Sequence, residues 1–568
     1  MHKEKENYNI NFRKGLYKSL LKYFPPKKNS PLLEDITNIL INGVEEGQLY
    51  IEINNDKSLS IQSSYPGWPE KHIAALKSSG WLEGNSAPII LRENKLSWSK
   101  WDFNMQRVIN ELTKRSSLID KQSLYSCNDS IKIRSYKKLS QEQEKAVEAI
   151  TKYGVILISG GPGTGKTSTI ATLLERAVTL NSTLRIGLAA PTGKATRRLK
   201  ESLQEVQQTI EPFEQQILSN IPCKTLHSWL QAMPKGYGKN KKNPITLDIM
   251  VIDEMSMVDI ELMQALLNAL PQKSQLVLVG DPEQLPPINS GAVWHQLQQT
   301  HIKERFGQAA IHLNKIYRNK GELVSLNQVL REKGLERFWE RANQVSIDSN
   351  FERYVHKSNE IPKQIMKLLD KQHTKLKQLA ELFHKVNQEE IALKALDSRD
   401  FLLAAEKLLS QLDELMVLCP KRKGVWGVNH IHKSIMKDTF EKDIDNWAQG
   451  TPVMCGENQP ELGLANGDIG ILVGEVKRKI IFRTFAIDGR LTYQLVHPAR
   501  LKRIEPAFAL TIHKAQGSEA KKVALLWPNS SNESSIDKDS SLNDLYEKRL
   551  LYTAITRAKE SILLLSKY

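Results

Sequence analysis

The chain has 568 residues, with 80 Lys and Arg against 64 Asp and Glu, a net charge of +16. Its length allows three or four domains at roughly 100–200 residues each, with cores large enough to need no disulfide staples. A hydrophobic share of 40% and a charged share of 25% exclude a membrane-embedded or disordered chain, and the basic excess favours a polyanionic partner, nucleic acid ahead of an anionic membrane surface.

The first stretch, MHKEKENYNINFRKG, has no apolar core, so no secretory leader is expected. Cys127, Cys223, Cys419 and Cys455 form no CxxC pair, which argues against a zinc ribbon or iron–sulfur site and for a reducing compartment. The expected location is the cytoplasm, with no membrane contact, because no apolar run is long enough to span a bilayer. Residues 1–125 mix helical patterns with Trp/Pro/Gly-rich stretches and carry no assignable chemistry. Phe103, Val108, Ile109 and Leu112 predict a closing helix with those residues on one face.

After Lys137 short apolar runs alternate with helical patterns: GVILIS, RIGLAA, LDIMVID, QLVLVG, AAIHL, and later LMVLC and SILLLS. Such runs read as strands buried on both faces. They predict an α/β fold of two doubly wound domains, at 126–312 and 313–568, behind an α-rich N-terminal domain at 1–125. Residues 445–505 change period and predict a small β-barrel insert. The segments 234–244, basic and turn-rich, and 529–544, Ser/Asp-rich, read as exposed loops.

Gly160, Gly161, Pro162, Gly163, Thr164, Gly165, Lys166 and Thr167 fit GxxxxGK[ST] between a buried strand and a helix. Glycines there let backbone N–H groups wrap a triphosphate, Lys166 reaches the β- and γ-phosphates, and the Thr167 hydroxyl ligates Mg²⁺. Asp253 and Glu254 end a second buried strand, where a Mg²⁺ carboxylate and a base for the attacking water are needed. Gln284 follows a third strand and offers a neutral amide to the γ-phosphate or the water. Arg318 and Arg557 are candidates for the outside cations that stabilise phosphoryl transfer.

The motifs GGPGTGKT, APTGKATRRL, KTLHSWL, VIDEMSMVD, GDPEQLPP, HLNKIYR, TIHKAQGSE and LYTAITRAK occur in the order of superfamily-one helicases and most resemble the RecD branch over roughly residues 139–568. The resemblance implies two RecA-like motor domains, ATP and Mg²⁺ as cofactors, and 5′–3′ movement on single-stranded DNA. It implies that Gln143 reads the adenine edge, that Gln284, Arg318 and Arg557 contact the γ-phosphate, and that Thr192, Lys194, Thr225, His227, Thr511, His513 and Lys514 line the single-strand track. Each of those seven residue types also suits a capping or core role. The segment 232–247 sits where the family has a strand-separating hairpin, and the insert resembles an SH3-like subdomain.

Ala520 stands where many relatives carry an aromatic residue, the Ser-rich segment before Leu550 is longer than usual, and the front end is short. The short form resembles the RecD subunit of RecBCD, exodeoxyribonuclease V, which implies RecB-like and RecC-like partners, a heterotrimer on duplex-end and single-stranded DNA, and a nuclease centre in another chain. Rival readings are a stand-alone or RNA-directed helicase and a nucleotide-gated scaffold subunit. The complete ATP-site set argues against the scaffold. The aromatics Tyr50, Tyr65, Trp68, Trp81, Trp98 and Trp101 mark residues 1–125 as the expected partner-binding segment.

Overall fold

The run GVILIS forms the strand Val155–Gly160, buried at every position. In this computed structural model the described residues are 2–45, 49–53, 61, 65–84, 86–92, 94–116, 139–207, 212–233, 235–287, 291–317, 321–345, 350–386, 398–475, 478–485, 491–528 and 540–567. Val155–Gly160 lies inside a six-stranded sheet in the order Ala310–Leu313, Val155–Gly160, Gln275–Gly280, Ile249–Ile252, Ile186–Ala190, Cys223–Thr225. Every ladder in it is parallel. Parallel neighbours need crossovers, and the connecting helices cover both faces, which is why these strands are uniformly apolar.

A second parallel sheet has five strands in the order Phe351–Val355, Ala558–Ser566, Ala520–Trp527, Leu415–Cys419, Leu510–Thr511. The two sheets are the expected RecA-like pair. Between the strands Leu415–Cys419 and Leu510–Thr511 the chain builds an antiparallel five-stranded sheet, ordered Leu491–Val496, Lys479–Phe485, Ile469–Val473, Pro452–Cys455, Ile504–Pro506. Period-2 alternation divides its faces. Ile471, Val473 and Ile481 pack against Leu376, Ala380 and Phe383 of the helix Lys363–Val386, while Leu472, Ile480 and Phe482 join the core of the second motor domain. Its two edge strands are not paired with each other among the described residues, so it is an open sheet where a barrel was expected.

The N-terminal region has the expected helices and also a three-stranded antiparallel sheet of Tyr50–Glu52, Lys95–Trp98 and Ile89–Arg92. The closing helix is Ser99–Ser116, but Phe103 is not on its buried face: it is 62% exposed, whereas Met105, Val108, Ile109 and Leu112 enter the core of the first motor domain. Buried Arg115 fixes that packing. Its guanidinium donates to the carbonyls of Leu267 (2.9 Å), Leu270 (3.1 Å) and Pro271 (3.0 Å), at and just beyond the end of the helix Ile260–Ala269. The aromatics are not a surface cluster either. Trp68 and Trp81 are fully buried in the N-terminal core and the other four are half-buried, because a small domain uses its largest side chains to fill its centre.

Between Trp229 and the strand Ile249–Ile252, Ala232–Met233 pairs antiparallel with Gly236–Tyr237 in a two-stranded hairpin whose Met233 is exposed. Cys127, Arg318, Pro234 and most of the Ser-rich segment lie outside the described residues. No helix among the described residues is long and apolar enough to cross a membrane.

Candidate active site

After Val155–Gly160 the chain turns through Gly163 (φ 71°) and Gly165 (φ 81°) into the helix Lys166–Leu180. Only glycine adopts both conformations without strain, and a side chain at Gly165 would also strike the Gln143 amide at 2.7 Å. The helix is held by Ile170, Leu173, Leu174, Ala177 and Val178, all buried, so its N-terminus and the loop amides are fixed in place. Lys166 Nζ donates to the carbonyls of Gly160 (2.8 Å) and Gly161 (2.9 Å), spanning the loop that would hold phosphates.

Lys166 faces a cleft of about 410 Å³ between the two motor domains. Asp253, Glu254 and Gln284 reach it from the C-terminal ends of strands in the first domain, where α/β folds bind ligands, and Arg557 reaches it from the second domain, just before the strand Ala558–Ser566. Burial, then the charge of Glu254, push the Asp253 carboxyl up to about 6 against the pull of Lys166 and Arg198. A buried carboxylate held this far up is a fitting place for a divalent cation. Asp253 Oδ1 accepts from the Glu254 N–H at 2.8 Å, and Glu254 sits at φ 54°, a left-handed conformation that is strained for this residue. Gln284 is buried, and its Oε1, an acceptor lining the cleft, has no partner among the described residues. Arg557 is 2% exposed and burial lowers its pKa. Its Nε donates to Thr553 O at 3.1 Å and it makes no ion pair among the described residues.

Gln143 is committed locally. Its N–H and Oε1 close a capping box with Ser140, its Nε2 meets Thr169 Oγ1 at 3.2 Å, and its Oε1 accepts from the Tyr317 hydroxyl at 3.0 Å. Tyr317, half-exposed, lines the same cleft and is missed by motif reasoning, as are Arg198 and Glu519. Arg198 is tied to Glu519 of the second domain by an ion pair across the cleft. Burial pulls its pKa down, and Glu519, Glu254 and Asp253 outweigh that and raise it. Helical phase lets only one of the adjacent arginines in APTGKATRRL face the P-loop without saying which, and the other, Arg197, pairs with Asp468 of the insert at 2.9 Å.

The residues expected on the single-strand track lie at the same strand ends but are unevenly exposed. Thr192, Thr225 and Thr511 accept from the N–H of Ala195 (3.2 Å), Ser228 (3.1 Å) and Lys514 (3.4 Å), so each hydroxyl serves as a local cap. His227 is exposed. His513 Nε2 contacts the Tyr546 hydroxyl at 3.0 Å, and burial lowers its pKa. Lys514 Nζ lies 3.0 Å from Glu505, which also pairs with Arg422 and Arg503. Lys194 is half-buried beneath the insert loop, close to Gly467; its ammonium is buried with no hydrogen-bond partner among the described residues, and that burial lowers its pKa to about 8.

Comparison with known proteins agrees with this arrangement. A family model described as an AAA domain matches residues 143–290, and one described as a UvrD-like helicase C-terminal domain matches 506–565. The RecBCD enzyme subunit RecD of Mycolicibacterium smegmatis is 30% identical over 447 residues, covering 74% of this chain and 70% of that one. The RecBCD enzyme subunit RecD of Buchnera aphidicola subsp. Acyrthosiphon pisum is 26% identical over 559 residues, 91% of this chain and 86% of that one. The ATP-dependent RecD2 DNA helicase of Deinococcus radiodurans is 26% identical over 440 residues, 75% of this chain and 49% of that protein. With its nucleotide cleft set between two parallel-sheet domains, and with this identity over more than two thirds of a relative, the chain belongs to the RecD family.

Proposed function

We propose that this chain is an ATP-dependent DNA helicase that moves 5′ to 3′ along single strands, working in the cytoplasm as the RecD subunit of a RecBCD-type complex with RecB-like and RecC-like partners. The observation that carries this reading is the cleft in which Lys166, Asp253, Glu254 and Gln284 face Arg557 from the other motor domain. Hydrolysis at such a site draws on both domains, so each turnover changes how they sit together, and that change moves a strand bound across both.

The residues have separable roles. Lys166 leaves its loop carbonyls for the β- and γ-phosphates. Thr167 and Asp253 would hold Mg²⁺, which neutralises phosphate charge when bound. Glu254 accepts the proton of the attacking water, and the free Gln284 Oε1 orients that water by accepting its other hydrogen. Water oxygen bonds to the γ-phosphorus as the bond to the β-bridging oxygen breaks. Arg557, with Arg318 as its counterpart, stabilises the charge that develops there. Tyr317, whose hydroxyl donates to Gln143, bounds the base end of the cleft. The hairpin at 232–237 acts as the strand-separating pin, and the open sheet of the insert covers the strand.

The test is steady-state ATPase activity with and without single-stranded DNA. Stimulation by DNA is expected in the wild type, with loss of turnover and retained single-strand binding in Lys166→Gln. Near-normal turnover in that variant would end the assignment.

A further inference from the structure

A second cavity, about 650 Å³, lies between the helix Ser99–Ser116 of the N-terminal region, the segment that returns from the hairpin, and the end of the helix Ile260–Ala269. Arg107 and Lys114 are seven positions apart, on one exposed face of the helix, and Lys241 reaches in from the opposite wall. The lining carries Arg107, Lys114, Arg115 and Lys241 against one carboxylate, Glu111, which lies 2.9 Å from Arg115. The rest of its polar lining is carboxamide, Asn268 and Gln272 among it. Cations interspersed with amides suit phosphate and sugar contacts and carry no sequence preference.

Its place relative to the hairpin selects the ligand. Tyr237, at the hairpin base, lies beside Asp259 and Glu261 at the start of the helix Ile260–Ala269. Leu267 and Asn268, at the end of that helix, line the cavity. At 1.5 Å per residue, the six to nine positions between them set the two about 9–14 Å apart, or about three to four base steps of duplex at 3.4 Å each. A basic site within one helix-length of a strand-separating hairpin is placed for the duplex that has not yet been opened.

We propose that this cavity is a duplex-binding site that takes the phosphate backbone of the unopened DNA arm ahead of the hairpin. The proposal rests on the helicase reading above and adds a substrate contact to it. The experiment is equilibrium binding, at several salt concentrations, of full-length wild type and of an Arg107→Gln, Lys114→Gln, Lys241→Gln triple variant. Three DNAs are compared: a 5′ tail alone, the tail on a loop-capped stem of about three base pairs, and the tail on one of about ten. The triple variant is expected to lose affinity for the long stem alone, with its salt slope reduced by about 0.9 for each contact removed.

Lys241→Glu, on an exposed loop, is expected to do the same in part without perturbing the core. Unchanged affinity for the long stem in both variants would overturn the proposal. So would an equal loss on the tail alone, or a loss of co-purifying subunits with DNA binding intact, which would mark a protein interface. The helicase reading fails separately, if wild-type ATPase shows no stimulation by the tail.

Discussion

The Tyr552 hydroxyl donates to Oδ2 of Asp281 at 3.1 Å, joining the last helix of the second motor domain to the loop that carries Gln284. One residue on, Thr553 Oγ1 accepts from the Leu285 N–H at 3.1 Å. Arg557 follows on the same segment, so the loop of one domain that carries Gln284 and the segment of the other that carries Arg557 are physically joined. Tyr552→Phe removes a hydrogen bond to a buried carboxylate, a loss of roughly 1.5–3 kcal/mol. Maximal DNA-stimulated ATPase is expected to fall about tenfold or more at a little-changed KM for ATP, since 1.4 kcal/mol is tenfold in rate. An unchanged kcat would show that the contact does not couple the domains.

Arg198 and Glu519 form the second bridge across the cleft. Removing either partner alone leaves a charge beside Asp253, Glu254 and Arg557. Arg198→Ala and Glu519→Ala are each expected to raise KM for ATP, and the double variant to be less impaired than the sum, with a coupling energy above about 0.5 kcal/mol. Simple additivity in that cycle would mean the pair is incidental.

Lys194 gives a pH signature. Its folded-state pKa is near 8 against an ordinary 10.5, so between those values the unfolded chain binds more protons and stability rises with pH. Below 8 the amine is charged in both states and the burial penalty is fully present. Lys194→Met is expected to raise the urea midpoint at pH 7 and to flatten the rise between pH 8 and 10.5. Parallel curves for the two proteins would place the amine in water.

The ATP site was legible in the sequence because its motif encodes backbone demands. Gly163 and Gly165 need positive φ, and Lys166 begins a helix whose apolar spacing is plain. Arg198 and Tyr317 were not legible, since which of two adjacent arginines faces the cleft, and where a linker tyrosine lands, are set by tertiary packing. The same holds for Trp68 and Trp81, whose composition suits an interface as well as a core, and for the mixed α and β character of the N-terminal region. The short hairpin at 232–237 was placed by the spacing of its basic, turn-rich segment and the family resemblance together.

The N-terminal packing also constrains how partner binding is tested. Because Met105, Val108, Ile109 and Leu112 belong to the motor core and Arg115 caps one of its helices, deletions that extend past Ser99 are expected to abolish ATPase activity by unfolding the first motor domain. Co-expression of the full-length chain with its RecB-like and RecC-like subunits is expected to yield a heterotrimer. Substitutions on the exposed surface of the N-terminal region are expected to weaken it while leaving the ATPase of the isolated chain intact. A chain that never co-purifies with those subunits would favour the stand-alone helicase.

The central claim is that the cleft drives directional unwinding. A strand-displacement assay on duplexes with a 5′ or a 3′ tail, using wild type and Glu254→Gln, tests it most directly. The account predicts ATP-dependent displacement from the 5′-tailed duplex only, and a Glu254→Gln variant that binds ATP and DNA but displaces nothing. Displacement from the 3′-tailed duplex, or undiminished displacement by Glu254→Gln, would contradict it.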